Sequence, residues 1–187
     1  MHARLAEVMD FVERKREELL QSFDGVSPER MRRRVSDEGW SVAEIIDHLR
    51  LVETSVTQVI TKRAGEARAR GVGEERSTES VLNVLDHLGI EEGITLMEAP
   101  SIVRPRPYAD PADAIVGLEE SRKALREAAA SASGLALGEI KQVHRSFGEL
   151  DLYQWLVFLG QHEGRHAKQI QRTLNATRAG DGSLTHR

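Results

Sequence analysis

Apolar residues recur at steps of three and four along four long stretches of this chain, a period that only helices convert into a continuous buried face. In the first, Leu5, Val8, Met9, Val12, Leu19 and Leu20 share a face among Glu, Arg and Lys, which predicts a helix ending near Ser22. Asp24 to Gly39 holds Gly25, Pro28 and the basic run Arg30 to Arg34, and reads as a connection whose charges meet solvent. Ser41 and Glu44 then form a capping box, each side chain satisfying the other's orphan backbone N–H. The stripe from Val42 through Ile45, Leu49, Val52, Val56 and Ile60 carries the second helix to Ile60 and, through an Ala/Arg/Glu-rich stretch, to about Arg70. Asp110 before Pro111 caps the third helix, whose stripe of Ile115, Leu118, Leu125, Ala129 and Ala132 stops at Gly134 and Gly138. A second capping pair, Asp151 with Gln154, opens the fourth, which fades near Ala176.

No segment alternates in the manner of a strand, so the expected fold is all-α, a four-helix bundle. The link from Gly71 to Asp110, about forty residues, is long enough to run the length of a bundle and carries one short helix at Ser77 to His87. Helices two and three can therefore lie parallel, in an up-down-down-up arrangement with a long crossover. At 187 residues the chain makes one domain, residues 1–177, with Arg178 to Arg187 as a frayed tail.

Composition narrows function by exclusion. A net charge of −4 and 4% aromatic residues speak against nucleic acid and anionic membranes as partners. No apolar run approaches a membrane span, and the first twenty residues lack a signal peptide's apolar centre, so a cytoplasmic protein is expected. With no Cys there is no disulfide, thiolate ligand or cysteine nucleophile. Gly160 and Gly164 form a smooth strip on helix four, about 160° around the helix from His162, where a homodimer contact is expected.

Three of the seven histidines fall where an apolar residue is due. His48 lies three residues after Ile45 and four before Val52, while Trp155, Leu159, His162, His166 and Ile170 follow one another in steps of 4, 3, 4 and 4. A lone core histidine is usually satisfied by a hydrogen bond, but three unpaired imidazoles would each cost about 1–3 kcal/mol unless they share a partner. A divalent transition metal is the expected partner, Zn or Ni foremost, and three ligands would leave a position open as in catalytic sites. His162 to His166 also spells H-E-x-x-H, the zinc-protease pattern. Proteolysis is not the expectation: no Glu follows Glu163, position 172 is Arg where a third His would stand, and a sheet edge for a peptide is missing.

The run Gly39-Trp40-Ser41-Val42-Ala43-Glu44-Ile45-Ile46-Asp47-His48-Leu49, with His162-Glu163-Gly164-Arg165-His166-Ala167-Lys168-Gln169-Ile170, resembles the DinB-like superfamily. That resemblance implies a four-helix bundle with a long crossover and a metal held by His48, His162 and His166. Similar proteins include metal-dependent transferases that use bacillithiol or mycothiol. It therefore implies an S-transferase that activates a low-molecular-weight thiol against a small electrophile in detoxification. The alternative is a non-catalytic metal-binding stress or interaction protein. Three further residues are candidates. Arg122, on the stripe of helix three, can meet an anionic group of a thiol cosubstrate or snorkel to solvent. Gln169 can hydrogen-bond a metal-bound imidazole, and Glu163 is either a base or a solvated carboxylate.

Overall fold

The computed structural model describes residues 1–94 and 98–182. Among them run α1 (Ala3–Gln21), α2 (Pro28–Met31), α3 (Val42–Ala69), α4 (Pro111–Ala132), a hairpin of β1 (Lys141–His144) and β2 (Gly148–Asp151), and α5 (Leu152–Gly182). The long helices begin where the caps are. Ser41 and Glu44 make both bonds of the box, Asp110 accepts from the amides of Ala112 and Asp113, and Asp151 and Gln154 bond reciprocally at 2.8 and 2.9 Å.

Contacts between helices fix their directions. Along α3 and α4, Arg50 meets Gly117, Glu53 meets Ser121, and Arg68 donates to the Ser131 carbonyl, so the two run parallel. Along α1 and α5, Arg4 stacks on Tyr153, Phe11 covers Gly160, and Arg16 bonds Glu163, again in parallel. Against α4, α1 is antiparallel: the Val12 carbonyl accepts from Arg122 and the Leu118 carbonyl from Arg16. The four-helix bundle is thus up-down-down-up, with α3 and α4 joined by the long crossover.

That crossover lies stitched along the bundle. The Glu75 amide donates to the Gly134 carbonyl at 2.8 Å and its carboxylate accepts from the Tyr153 hydroxyl at 3.0 Å. Asp86 accepts from Gln161, and Glu91 pairs with Lys15 and Lys168. The Arg106 and Tyr108 amides donate to the buried carboxylates of Asp47 and Glu44. Val81, Leu85, Ile90 and Val103 are buried beneath it.

Several expectations need correction. Ser77 to His87 is not a helix; only a 3₁₀ turn at Asp86–Leu88 forms. The hydroxyls of Ser77 and Ser80 accept from the amides of Glu79 and Leu82, which competes with helical pairing. The chain does contain strands, a four-by-four hairpin turned at Arg145-Ser146-Phe147 with Gly148 at φ +72°. The stretch 24–39 holds α2, capped by Ser27, and its arginines are paired rather than only solvated: Arg32 with Asp110, Arg33 with Glu29, Arg34 with Glu44. Helix α5 runs past Ala176 to Gly182, so part of the expected tail is helical; residues 183–187 lie outside the described residues. The glycine strip is covered by this chain itself, Gly160 by the Phe11 ring and Gly164 by the Glu91 side chain, which leaves no dimer surface there.

The core has two apolar halves. Leu5 to Val12, Val52 to Ala67, Leu125 to Ala132 and Leu152 to Leu159 supply one. Leu19, Val42 to Leu49, Leu118 and Ala167 to Leu174 supply the other. Between them, at one level across all four long helices, lies a buried polar layer of Arg16, Glu53, Arg122, Glu163 and the histidines 48, 162 and 166.

Candidate metal centre

Half of the polar layer is an ion-pair quartet. Glu53 accepts from Arg16 at 2.9 Å and from Arg122 at 2.6 Å, and also takes the Ser121 hydroxyl. Glu163 accepts from Arg16 and, through both oxygens, from Arg122 at 2.9 and 3.0 Å. Two cations face two anions, with backbone carbonyls of Leu118 and Val12 taking remaining guanidinium protons. Burial pushes the Glu163 carboxyl above the ordinary carboxylate value, while Arg122 and Arg16 pull it back. This corrects both readings of Glu163, which is neither solvated nor available as a base. Arg122 is likewise withdrawn from any cosubstrate, its fork spent on two carboxylates.

The other half is the histidine triad. His48 on α3 meets His162 and His166 on α5, ring centroids 5.2 and 5.0 Å away, and the last two are 4.5 Å apart. One nitrogen from each falls within 4.8 Å of the other two. Two of the rings are oriented from behind: His48 Nδ1 donates to the Val103 carbonyl at 2.6 Å, and His166 Nδ1 donates to Gln169 Oε1 at 2.7 Å. Each bond leaves Nε2 as the unprotonated, lone-pair nitrogen. His162 Nε2 stands 3.2 Å from His166 Nε2 and, without a metal, can serve it only as a donor, which leaves the buried His162 Nδ1 an acceptor with no partner among the described residues. A cation shared by the Nε2 atoms would move the His162 proton to Nδ1 and take both lone pairs.

Burial also keeps the rings in the ligating form. Desolvation holds His48 below the ordinary histidine value, against the bond to Val103. It drives His162 well below, and brings His166 down to about 3, with His48 adding to it. All three are therefore neutral near pH 7. The residues fit a divalent metal in donor type, protonation and proximity.

The triad forms the floor of a cavity of about 550 Å³. Trp40, Val52, Ile102, Trp155 and Phe158 give it apolar walls, and His144, Arg145 and Arg165 add polar atoms. The Phe158 ring lies 5.3 Å from His162 and the Trp40 ring 5.0 Å from His48. A metal ion held by these three nitrogens would keep a side open to the cavity for a further ligand.

Sequence reasoning missed the Val103 carbonyl, His144, and the partners of Arg122. Arg16 and Glu53 could have been found: Arg16 stands four after Val12 and three before Leu19, and Glu53 four after Leu49 and three before Val56, so both interrupt apolar stripes as Arg122 does.

A bundle with one long crossover and a buried three-histidine cluster opening on a cavity defines a recognisable class of helical protein. The DinB superfamily pattern matches residues 12–170, and the chain belongs to that superfamily. It is 27% identical over 168 residues to the uncharacterized protein YuaE of Bacillus subtilis (strain 168), an alignment spanning 87% of this chain and 94% of YuaE. Its fold is similar to that of TT2238, a four-helix bundle protein known from a crystal structure, with a TM-score of 0.52, 18% identity and coverage of 94% of this chain and 98% of that one. Among the described residues no helix is long and apolar enough to cross a membrane.

Proposed function

We propose that the protein is a metal-dependent S-transferase that joins a low-molecular-weight thiol to a small electrophile in the cytoplasm. The observation that carries this reading is the convergence of three neutral imidazoles at the floor of an open cavity. His48, His162 and His166 would hold the ion, Zn²⁺ or Ni²⁺, as neutral donors. A dipositive ion in such a site lowers the pKa of a thiol or water that enters its open position. The chain has no cysteine, which fits a sulfur supplied by a cosubstrate.

The protein's own residues do the rest. Val103 and Gln169 fix two ligand rings. Trp40, Trp155 and Phe158 exclude water and offer flat apolar walls to the electrophile. In the transfer the thiol gives its proton to solvent, its sulfur bonds the electrophilic carbon, and the leaving group departs with the electron pair of its broken bond.

Cobalt-reconstituted protein tests this. Bacillithiol, mycothiol, glutathione and coenzyme A are titrated in turn, and the correct thiol produces a sulfur-to-cobalt charge-transfer band saturating near one equivalent, absent in His162→Ala. An unchanged spectrum with all four at millimolar concentration would leave a non-catalytic metal-binding protein.

A further inference from the structure

His144 belongs to neither half of the polar layer, yet it borders the same cavity. It ends β1, opposite Gly148, where the hairpin turns. Three aromatic rings grip it: Phe147 stacked at 4.7 Å, Phe158 at 4.8 Å and Trp155 at 4.9 Å. The Ser146 amide donates to its Nδ1 at 3.1 Å. An Nδ1 that accepts has no proton, so in the neutral ring the proton sits on Nε2. Among the described residues that Nε2–H has no protein acceptor. The hairpin thus holds an aromatic-clamped imidazole at the border of the cavity, with one donor that no described protein group takes.

Phe158 is the wall shared by the two polar ends, 4.8 Å from the His144 ring and 5.3 Å from the His162 ring. The geometry points to His144 as a substrate-positioning residue, its Nε2–H holding a carbonyl-type acceptor of a molecule whose reactive atom reaches the three histidines. The substrate class follows: a small molecule with a mainly apolar body, carrying a hydrogen-bond acceptor at a distance from its reacting centre. This deepens the S-transferase reading by describing its electrophile, and rests on that reading only for the reaction. Burial lowers the His144 pKa, which keeps the ring neutral and the tautomer in place near pH 7.

The test uses a matched pair of probes, 4-phenyl-2-butanone and isopentylbenzene, the same skeleton with the carbonyl oxygen replaced by a methyl group. Both tryptophans of the chain, Trp40 and Trp155, border the cavity, so intrinsic fluorescence reports occupancy without turnover. Dissociation constants are measured for zinc-loaded wild type, His144→Phe, which keeps the stacking, and His144→Gln, which restores a donor. Taking the ketone-to-hydrocarbon ratio cancels pocket hydrophobicity, and losing one neutral hydrogen bond should raise that ratio about five- to tenfold in His144→Phe. His144→Gln should return it to within about twofold of wild type. Nitrogen-15 NMR of wild type gives a readout independent of any variant: the ketone, and not the hydrocarbon, should shift the His144 Nε2–H resonance. An unchanged ratio in His144→Phe, an unmoved resonance, or no saturable response of wild type to either probe overturns the proposal. A normal ratio series beside an absent thiol charge-transfer band removes the thiol reading and leaves His144 in its role.

Discussion

Replacing Glu53 by Gln tests whether the charged layer acts as one unit. Glu53 is fully buried and receives Arg16 at 2.9 Å, Arg122 at 2.6 Å and the Ser121 hydroxyl. The amide keeps the shape but removes one anion, leaving Arg16 and Arg122 to share Glu163, and its NH₂ faces groups that are themselves donors. Stripping one partner from a buried ion pair costs about 3–5 kcal/mol, because a charge is left uncompensated away from water. In a chain of this length that corresponds to a fall in melting temperature of roughly 10 °C. Glu98→Gln is the control: its pair with Arg104 is exposed on both sides, touches none of the layer and should contribute little. Urea unfolding of the two variants beside wild type measures the difference. A third variant, with Arg16 and Arg122 as Met and Glu53 and Glu163 as Leu, should unfold near wild type or above it, since the desolvation cost disappears with the charges. A Glu53→Gln loss no larger than the control's would refute the reasoning.

Three other outcomes are expected. Gln169→Leu removes the acceptor of His166 Nδ1 and should weaken metal binding about 10–100-fold by competition with a chelator, with little change in unfolding of the metal-free protein. The metal-free protein should lose stability as pH falls below about 6.5, because the unfolded chain takes up protons on these histidines while the folded triad, with depressed values reaching about 3 at His166, does not. The slope is up to about 1.4 kcal/mol per pH unit for each histidine, and denaturant titrations of wild type and His166→Asn between pH 6.5 and 4 should differ by it. Gly160→Ala sets a Cβ 2.5 Å from the Phe11 ring and should destabilise by about 1–3 kcal/mol with no change of mass in sedimentation, Phe11→Leu restoring part of the loss.

What the sequence reveals follows the range of the interaction. Helices α1, α3, α4 and α5 are legible because their stripes and caps are local, and the three histidines because a polar residue on an apolar stripe announces a buried role. The same signal marks Arg16, Glu53, Arg122 and Glu163, yet a stripe position does not say which opposite charge it meets across the bundle. Glu163 and Arg122 therefore read as solvent- or substrate-facing when they are bound to each other. The hairpin eludes a pattern search because its strands have four residues each and only Leu150 of β2 is buried. Val103 is unreadable in principle: its contribution is a backbone carbonyl, placed by the crossover against a ring 55 residues away.

The central claim is that His48, His162 and His166 share one cation. Demetallated protein is dialysed against zinc, and metal per chain is measured by elemental analysis beside His48→Ala, His162→Ala and His166→Ala. Circular dichroism confirms that each variant is helical. One ion per wild-type chain and loss of tight binding in all three variants is the predicted result. Stoichiometric binding that survives in every variant, or wild type that takes up no ion, would contradict it.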